Sequence, residues 1–354
     1  NVKRQTPNTM GSLSNALAAA VAVFALLVTL KWDRRGNFLF NVVNLAMPME
    51  SVVGRTREEQ LAILKDGRKN LEAAVVLSTT DSIGNRALIR YFYGPAFANA
   101  LFGPNATRVA SFSVLSSSSS SSENDGGHSI PVLCACPHDA GPRSNLPVVL
   151  FFHSGGMILG SAKSEFHLAR YMAHRARAAV CSVEYRLSPE VRYPAAVEDA
   201  VDAAAALLRP HAAGGDSNPA ADALGVGLDV STFATLGFSA GGYMSAHTAR
   251  HLAHYSRKTA ALQVSLVPMA KPHGGTRSLV ENAYDPFWTA ELNSYAWSVY
   301  LEGDDGSLCV DWRVSLLMDP PKETLGILPP AYVQINTRDG LHDEGEMYAD
   351  RLRQ

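Results

Sequence analysis

One short stretch of the chain places a hydroxyl where a nucleophile could act. Ser239 stands in LGFSAGGY between Gly237 and Gly241, after the apolar run FATL and before the helical pattern YMSAHTARHLAHY. A G-x-S-x-G sequence at a strand-to-helix turn is the nucleophile elbow, which exposes the serine oxygen near the positive end of the following helix. Clustered small residues at such a turn can also serve packing alone, but the flanking strand and helix patterns favour a nucleophile.

A serine that attacks a carbonyl needs hydrogen-bond donors for the oxyanion. The backbone N–H of Ala240 follows the serine directly and can supply one donor. A second turn, FFHSGGMILGS, follows another apolar run, and its Gly155 and Gly156 can present N–H groups where side chains would block access. The same residues could form a tight turn with no role in catalysis. The prediction of an oxyanion hole therefore depends on the presence of two such turns, each after an apolar run.

The elements around these turns predict a layered α/β fold. Short apolar runs typical of buried strands (PVVLFF, AAVCSV, FATLGF, LQVSLV, AYVQIN) alternate with helical patterns from residue 146 onward. Strands that alternate with helices indicate a mostly parallel sheet with helices on both faces. Ligands of such sheets bind at the carboxyl ends of the strands, where both glycine turns fall.

These motifs resemble the hormone-sensitive-lipase family of α/β-hydrolases. His153-Ser154-Gly155-Gly156 is similar to its HGGG motif, the elbow to GDSAGG, and SVEYRLSPEVRYPAAVEDAV to VDYRLAPE and PAAVEDA. The resemblance extends from about residue 146 to the C-terminus. It implies an α/β-hydrolase fold with an N-terminal helical cap and the hydrolysis of carboxylic esters, from small acetyl esters to lipid esters. It implies no metal and no organic cofactor.

The resemblance also assigns the remaining site residues. Asp339, the first residue of DGLHDEG, matches the family's catalytic acid, which orients the histidine. Asp343 and Glu344 are expected to cap and open the next helix. His153 is expected to hold the loop and not to act as the base. The chain departs from the family pattern at four positions: Ser154 for Gly, Phe238 for Asp, Glu184 for Asp and Gly340 for Pro.

No position matches the family's catalytic histidine. That histidine follows the helix after Asp339, and the sequence ends at Gln354 inside or just after this helix. His342 lies in the acid's own turn. His247, His251 and His254 have helical spacing after the elbow and are interpreted as structural or exposed. We expect a C-terminal strand and helix, with the histidine, beyond Gln354; the alternative is a non-catalytic protein that binds a small molecule in the same pocket.

Composition excludes several other functions. The 354 residues carry a net charge of −2, so no basic surface for nucleic acid is indicated. The four cysteines form no C-x-x-C pair and are interpreted as free thiols. A peptidase on a related scaffold is disfavoured because the HSGG and YRLSPE stretches resemble esterases. The predicted partner is therefore an ester substrate, and the oligomeric state is left open.

The N-terminal part predicts a membrane anchor. Residues 13–30, LSNALAAAVAVFALLVTL, are apolar and flanked by basic residues, which favours an uncleaved signal anchor in the endoplasmic reticulum or secretory pathway. The alternative is an alanine-rich helix packed on a cytoplasmic protein. We divide the chain into an anchor region (1–35), a cap or variable region with a serine-rich loop (36–145) and the hydrolase core (146–354).

Overall fold

A seven-stranded, mostly parallel sheet forms the centre of the molecule. The computed structural model of this chain describes residues 56, 58–62, 64–65, 106–116, 128–210, 217–283 and 288–354. Within them the strand order is β1-β2-β4-β3-β5-β6-β7. The strands are β1 Thr107–Leu115, β2 Ser129–Pro137, β3 Leu146–Phe152, β4 Ala179–Val183, β5 Leu228–Phe238, β6 Leu262–Leu266 and β7 Ala331–Gln334.

Five of these strands are the five that the apolar runs predict. Strands β3 to β7 pair in parallel, whereas β2 is antiparallel to both β1 and β4. Both β3 and β4 are buried along their whole length, as expected for parallel strands with helices on each face. The predicted mostly parallel sheet is thereby confirmed.

From residue 166 onward the described ranges contain eight α-helices. They are α1 Phe166–Ala176, α2 Ala195–Leu207, α3 Pro219–Leu224, α4 Ala240–Ser256, α5 Arg277–Glu281, α6 Ala290–Tyr300, α7 Lys322–Leu325 and α8 His342–Arg353. One apolar cluster joins α2 and α4 to one face of the sheet, and a second joins α1 to the other face. The parallel strands are therefore fixed from both sides, which holds their carboxyl ends in register.

A buried ion pair fixes the chain between β4 and α2. Asp199 is fully buried in α2 and accepts hydrogen bonds from the backbone N–H of Arg186 at 2.9 Å and from its guanidinium at 2.8–3.1 Å. These two residues belong to the YRLSPE and PAAVEDA motifs of the sequence. Burial of a charge requires such pairing, so the ion pair joins the two motifs in the folded chain.

The cysteines differ from the sequence prediction. Cys134 in β2 and Cys181 in β4 form a disulfide, with their Cα atoms 4.1 Å apart. The two residues are direct partners in the antiparallel β2–β4 register. Cys136 and Cys309 are free. The interpretation of all four as free thiols was wrong because the sequence does not show that β2 lies beside β4.

The predicted membrane anchor is corrected. No helix in the described parts of the chain is long and apolar enough to cross a membrane, and the prediction of a membrane-anchored protein is therefore wrong by this test. Segment 13–30 itself lies outside the described residues, as does most of the serine-rich loop. The three-part domain division stays a prediction, although residues 107–115 and 129–137, assigned to the variable region, form two strands of the central sheet.

Candidate active site

Ser239 lies at a sharp turn between β5 and α4. Its backbone has φ 53° and ψ −117°, in the positive-φ region that residues with a side chain rarely adopt. A Cβ built on Gly237 would lie 2.2 Å from the Gly241 carbonyl oxygen, and one on Gly241 would lie 2.0 Å from the Phe152 carbonyl oxygen. The glycines on either side of Ser239 are therefore required by backbone packing, as the elbow motif predicts.

The glycine turn after β3 lies beside this elbow. Phe152, the last residue of β3, pairs with Gly237 of β5, so both strands end at the same edge of the sheet. Gly155 and Gly156 have φ of 118° and 62°. A Cβ on Gly155 would lie 2.3 Å from the Leu159 carbonyl oxygen. The two predicted donor segments thus face the same region, at the carboxyl ends of β3 and β5.

His153 is a packed component of this turn. Its ring is buried and stacks on Tyr185, with ring centroids 4.2 Å apart and planes 6° from parallel. Its Nδ1 lies 2.7 Å from the Ser154 carbonyl oxygen, and the Tyr185 hydroxyl donates to the His153 carbonyl at 2.7 Å. This environment agrees with the expectation that His153 holds the loop.

Asp339 lies in the turn between β7 and α8. Gln334 at the end of β7 pairs with Leu266 of β6, which in turn pairs with Phe238 beside the candidate nucleophile. Asp339 Oδ1 accepts the backbone N–H of Leu341 at 2.9 Å. The acid turn, the elbow and the glycine turn therefore follow strands β7, β5 and β3, all at one end of the sheet.

Asp343 and Glu344 stand in the first turn of α8 as predicted, but their carboxylates bind other segments. Asp343 accepts the N–H of Ser278 at 2.8 Å, while Glu344 accepts those of Ala270 and Lys271 at 3.1 and 2.6 Å. Burial raises the pKa of Glu344 to about 8, against these amide bonds, which lower it; the nearby charge of Asp339 raises it further. The expected cap is replaced by links to the chain after β6.

The contacts of the other predicted histidines are with their own helix or with later segments of the chain. His247 is buried, with Nε2 3.2 Å from the Val314 carbonyl oxygen, and burial holds its pKa well below the ordinary value. His254 lines an open cleft of about 550 Å³ at the other end of α4. His342 Nε2 lies 3.9 Å from Glu346 one turn further along α8. No described group of histidine, cysteine, aspartate or glutamate residues could hold a metal ion.

Three of the four residues that depart from the family pattern make contacts close to the predicted site. Phe238 makes an edge-to-face contact with Phe151, with ring centroids 6.5 Å apart. Glu184 accepts the backbone N–H of Ala162 at 2.7 Å and so binds the end of the glycine loop. Gly340 lies close to Leu279: an added Cβ would approach its Cδ1 to 3.1 Å.

Sequence reasoning missed two residues at this site. Trp288 packs on Gly156 so closely that a Cβ there would lie 2.0 Å from the indole Cη2, and its N–H donates to Asn293 at 2.8 Å. Glu165, just before α1, is buried and bound to Ser154. Trp288 stands in the stretch ENAYDPFWTAEL, which is similar to the family pattern but assigns no role to the tryptophan, and a glutamate before a helix carries no motif.

Comparisons with known proteins agree with this geometry. Residues 149–354 match the model of a family described as the alpha/beta hydrolase fold. The carboxylesterase NlhH of Mycobacterium tuberculosis is 32% identical over 228 residues, which are 64% of this chain and 66% of NlhH. The ethyl acetate hydrolase of Pseudomonas putida is 30% identical over 230 residues, 64% of this chain and 67% of that protein. The chain thus spans slightly less than two thirds of NlhH.

Solved structures show the same similarity. The hyperthermophilic esterase from the archaeon Pyrobaculum calidifontis superposes with a TM-score of 0.63 at 28% identity, covering 89% of this chain and 84% of that one. The bacterial heroin esterase gives a TM-score of 0.63 at 25% identity, covering 82% of this chain and 79% of that chain. These relatives are named as esterases, which does not favour the non-catalytic interpretation.

Proposed function

This chain belongs to the hormone-sensitive-lipase-like family of α/β-hydrolases, and from that premise we propose that it is a serine hydrolase of carboxylic esters. The observation that carries the proposal is the backbone of Ser239. A positive φ at a non-glycine residue is strained, and such strain persists where the surrounding structure holds the residue for a function. The glycine turn with Gly155 and Gly156 beside it supports acyl transfer in particular.

In the proposed reaction, the Ser239 oxygen attacks the ester carbonyl and its proton passes to a histidine base. The backbone N–H groups of Gly155, Gly156 and Ala240 stabilise the oxyanion of the tetrahedral intermediate. The histidine returns the proton to the departing alcohol, which leaves an acyl-enzyme on Ser239. Water, deprotonated by the same histidine, then releases the carboxylic acid. Asp339 orients that histidine.

Small esters are the proposed substrates to test first. The P. putida relative is named for ethyl acetate, whose acyl group has only two carbons. Trp288 also lies directly on Gly156, one of the proposed oxyanion donors. Acetyl and butyryl esters therefore come before lipid esters as probes.

The decisive experiment compares the chain with Ser239→Ala on p-nitrophenyl acetate and butyrate. Ser256→Ala is the matched control, because Ser256 lies exposed at the far end of the same helix. Each rate is measured with and without added imidazole, which can replace a histidine base. We expect hydrolysis that Ser239→Ala abolishes and Ser256→Ala preserves, and that imidazole increases if the base lies outside these residues. Equal rates for folded wild type and Ser239→Ala under both conditions would refute the proposal.

A further inference from the structure

Ser154 connects the glycine turn to a buried carboxylate. Its backbone N–H and its hydroxyl both donate to the same oxygen, Oε1 of Glu165, at 3.1 and 2.5 Å. Glu165 lies 11 residues further along the chain and immediately precedes α1. The two bonds therefore fasten the loop after β3 to the start of a helix that packs on the sheet. A glycine at position 154 could donate only one of these bonds.

Glu165 is an unusual residue to bury at this place. It is 8% exposed, and its second oxygen, Oε2, is buried without a hydrogen-bond partner among the described residues. Burial raises the pKa of its carboxyl to about 7, while the two bonds from Ser154 lower it. A buried carboxyl destabilises a fold unless it is well bonded. The side-chain hydrogen bonds of Glu165 go to Ser154, so the bonds that offset this cost connect it to the loop that Ser154 begins.

The contacts of Ser154 determine the orientation of the peptide unit between Ser154 and Gly155. The carbonyl of Ser154 and the N–H of Gly155 belong to one planar, trans unit and point in opposite directions. That carbonyl lies 2.7 Å from His153 Nδ1, and a Cβ on Gly160 would lie 2.3 Å from it, so the carbonyl side is fixed and crowded. With the N–H and hydroxyl of Ser154 also bound, the direction of the Gly155 N–H is determined from both sides.

We propose that Glu165 is a positioning residue that, through Ser154, aims the Gly155 N–H at the oxyanion of the ester reaction. This inference rests on the proposed function. Its expected effect is on the transition state, because the oxyanion develops only there. Loss of the link should therefore lower kcat while KM changes little. A role in folding alone would lower the amount of folded enzyme and leave kcat per active site unchanged.

The test measures kcat and KM for p-nitrophenyl acetate in Glu165→Ala, Glu165→Gln, Ser154→Ala and the double variant Glu165→Ala/Ser154→Ala. Sites are counted by fluorophosphonate labelling of Ser239, and Glu291→Ala provides an exposed carboxylate control. We expect kcat per site to fall about 10- to 100-fold in Glu165→Ala, less than the loss of a complete oxyanion donor. Glu165→Gln should retain most of the activity, because its amide oxygen can accept both bonds.

The double variant distinguishes coupling from two separate effects. If Glu165 acts through Ser154, Glu165→Ala/Ser154→Ala should be no slower than Glu165→Ala alone. An unchanged kcat per site in Glu165→Ala, or losses that multiply in the double variant, would overturn this inference while leaving the proposed function intact. Absence of Ser239-dependent turnover in the wild type, both with and without imidazole, would overturn both. If Glu165→Ala does not fold, the test uses Ser154→Ala instead. Its kcat per site should fall about 3- to 10-fold, and an unchanged kcat would overturn the inference.

Discussion

Gly156→Ala tests whether Trp288 and the glycine turn are packed as the structure shows. Gly156 has φ 62°, where an alanine costs about 1–2 kcal/mol of backbone strain. Its Cβ would also lie 2.0 Å from the Trp288 Cη2, and such overpacking costs about 1–3 kcal/mol. The free energy of unfolding of Gly156→Ala should therefore fall by about 2–5 kcal/mol in total.

Only the overpacking part of that loss can be relieved by a second change. Trp288→Ala removes the ring that the new Cβ would meet, so the two substitutions should be coupled by about 1–3 kcal/mol. Gly241→Ala is the matched control, because its Cβ would meet the Phe152 carbonyl oxygen, which Trp288→Ala cannot move. Its cost should simply add to that of Trp288→Ala.

The assay is equilibrium urea unfolding, followed by far-UV circular dichroism, of wild type, the three single variants and the two double variants. A third glycine, Gly141, has nothing within 4 Å of an added Cβ, so Gly141→Ala should change stability by less than about 1 kcal/mol. If the losses of Gly156→Ala and Trp288→Ala add to within about 0.5 kcal/mol, the reasoning on this contact is refuted.

Three other predictions concern stability. Asp199→Ala should lower the free energy of unfolding by about 3 kcal/mol in urea titrations, because it leaves the Arg186 guanidinium without its buried partner; a loss below about 1 kcal/mol would contradict the burial of this pair. In the folded protein the Glu344 carboxyl has a pKa of about 8, against an ordinary value of 4.5. As the pH rises, the unfolded chain therefore loses this proton before the folded protein does, and the free energy of unfolding falls between these two pH values. Glu344→Gln should therefore gain on the order of 3 kcal/mol in unfolding free energy relative to wild type when the pH is raised from 5 to 8. If the difference between variant and wild type is the same at both pH values, the carboxyl is not held protonated. The Cys134–Cys181 bond spans 47 residues, so its replacement by two alanines should cost about 4 kcal/mol, and thiol titration of the unreduced, denatured wild type should find two thiols; four would exclude the disulfide.

The strands and the elbow could be predicted because their signals are local. A buried parallel strand needs an apolar run such as PVVLFF, and the nucleophile turn needs glycine at 237 because a Cβ there would meet the backbone of Gly241, four residues along the chain. The same holds for the glycines at 155 and 156, whose positive φ values follow from the turn itself. These requirements act over a few neighbouring residues and leave a readable pattern.

The partners of buried polar groups could not be predicted in this way. Asp343 and Glu344 read as helix-capping residues, yet they bind the backbone of segments about 65 and 74 residues away in sequence. The sequence shows where a carboxylate lies on its own helix. Which backbone N–H groups donate to it depends on the segment that the fold places beside that helix. The cysteines failed for the same reason, since the β2–β4 pairing depends on strand order and not on the spacing of Cys134 and Cys181.

The sequence by itself determined the hydrolase architecture, the position of Ser239 at a strained turn and the two glycine segments that can donate to an oxyanion. Only the tertiary structure decided how that turn is held: the bonds of Ser154 to Glu165, the indole of Trp288 on Gly156 and the pairing of β2 with β4. The physical reason is range. Backbone sterics and apolar periodicity are local properties of the chain, whereas hydrogen bonds and close packing between distant segments exist only after the sheet has brought those segments together.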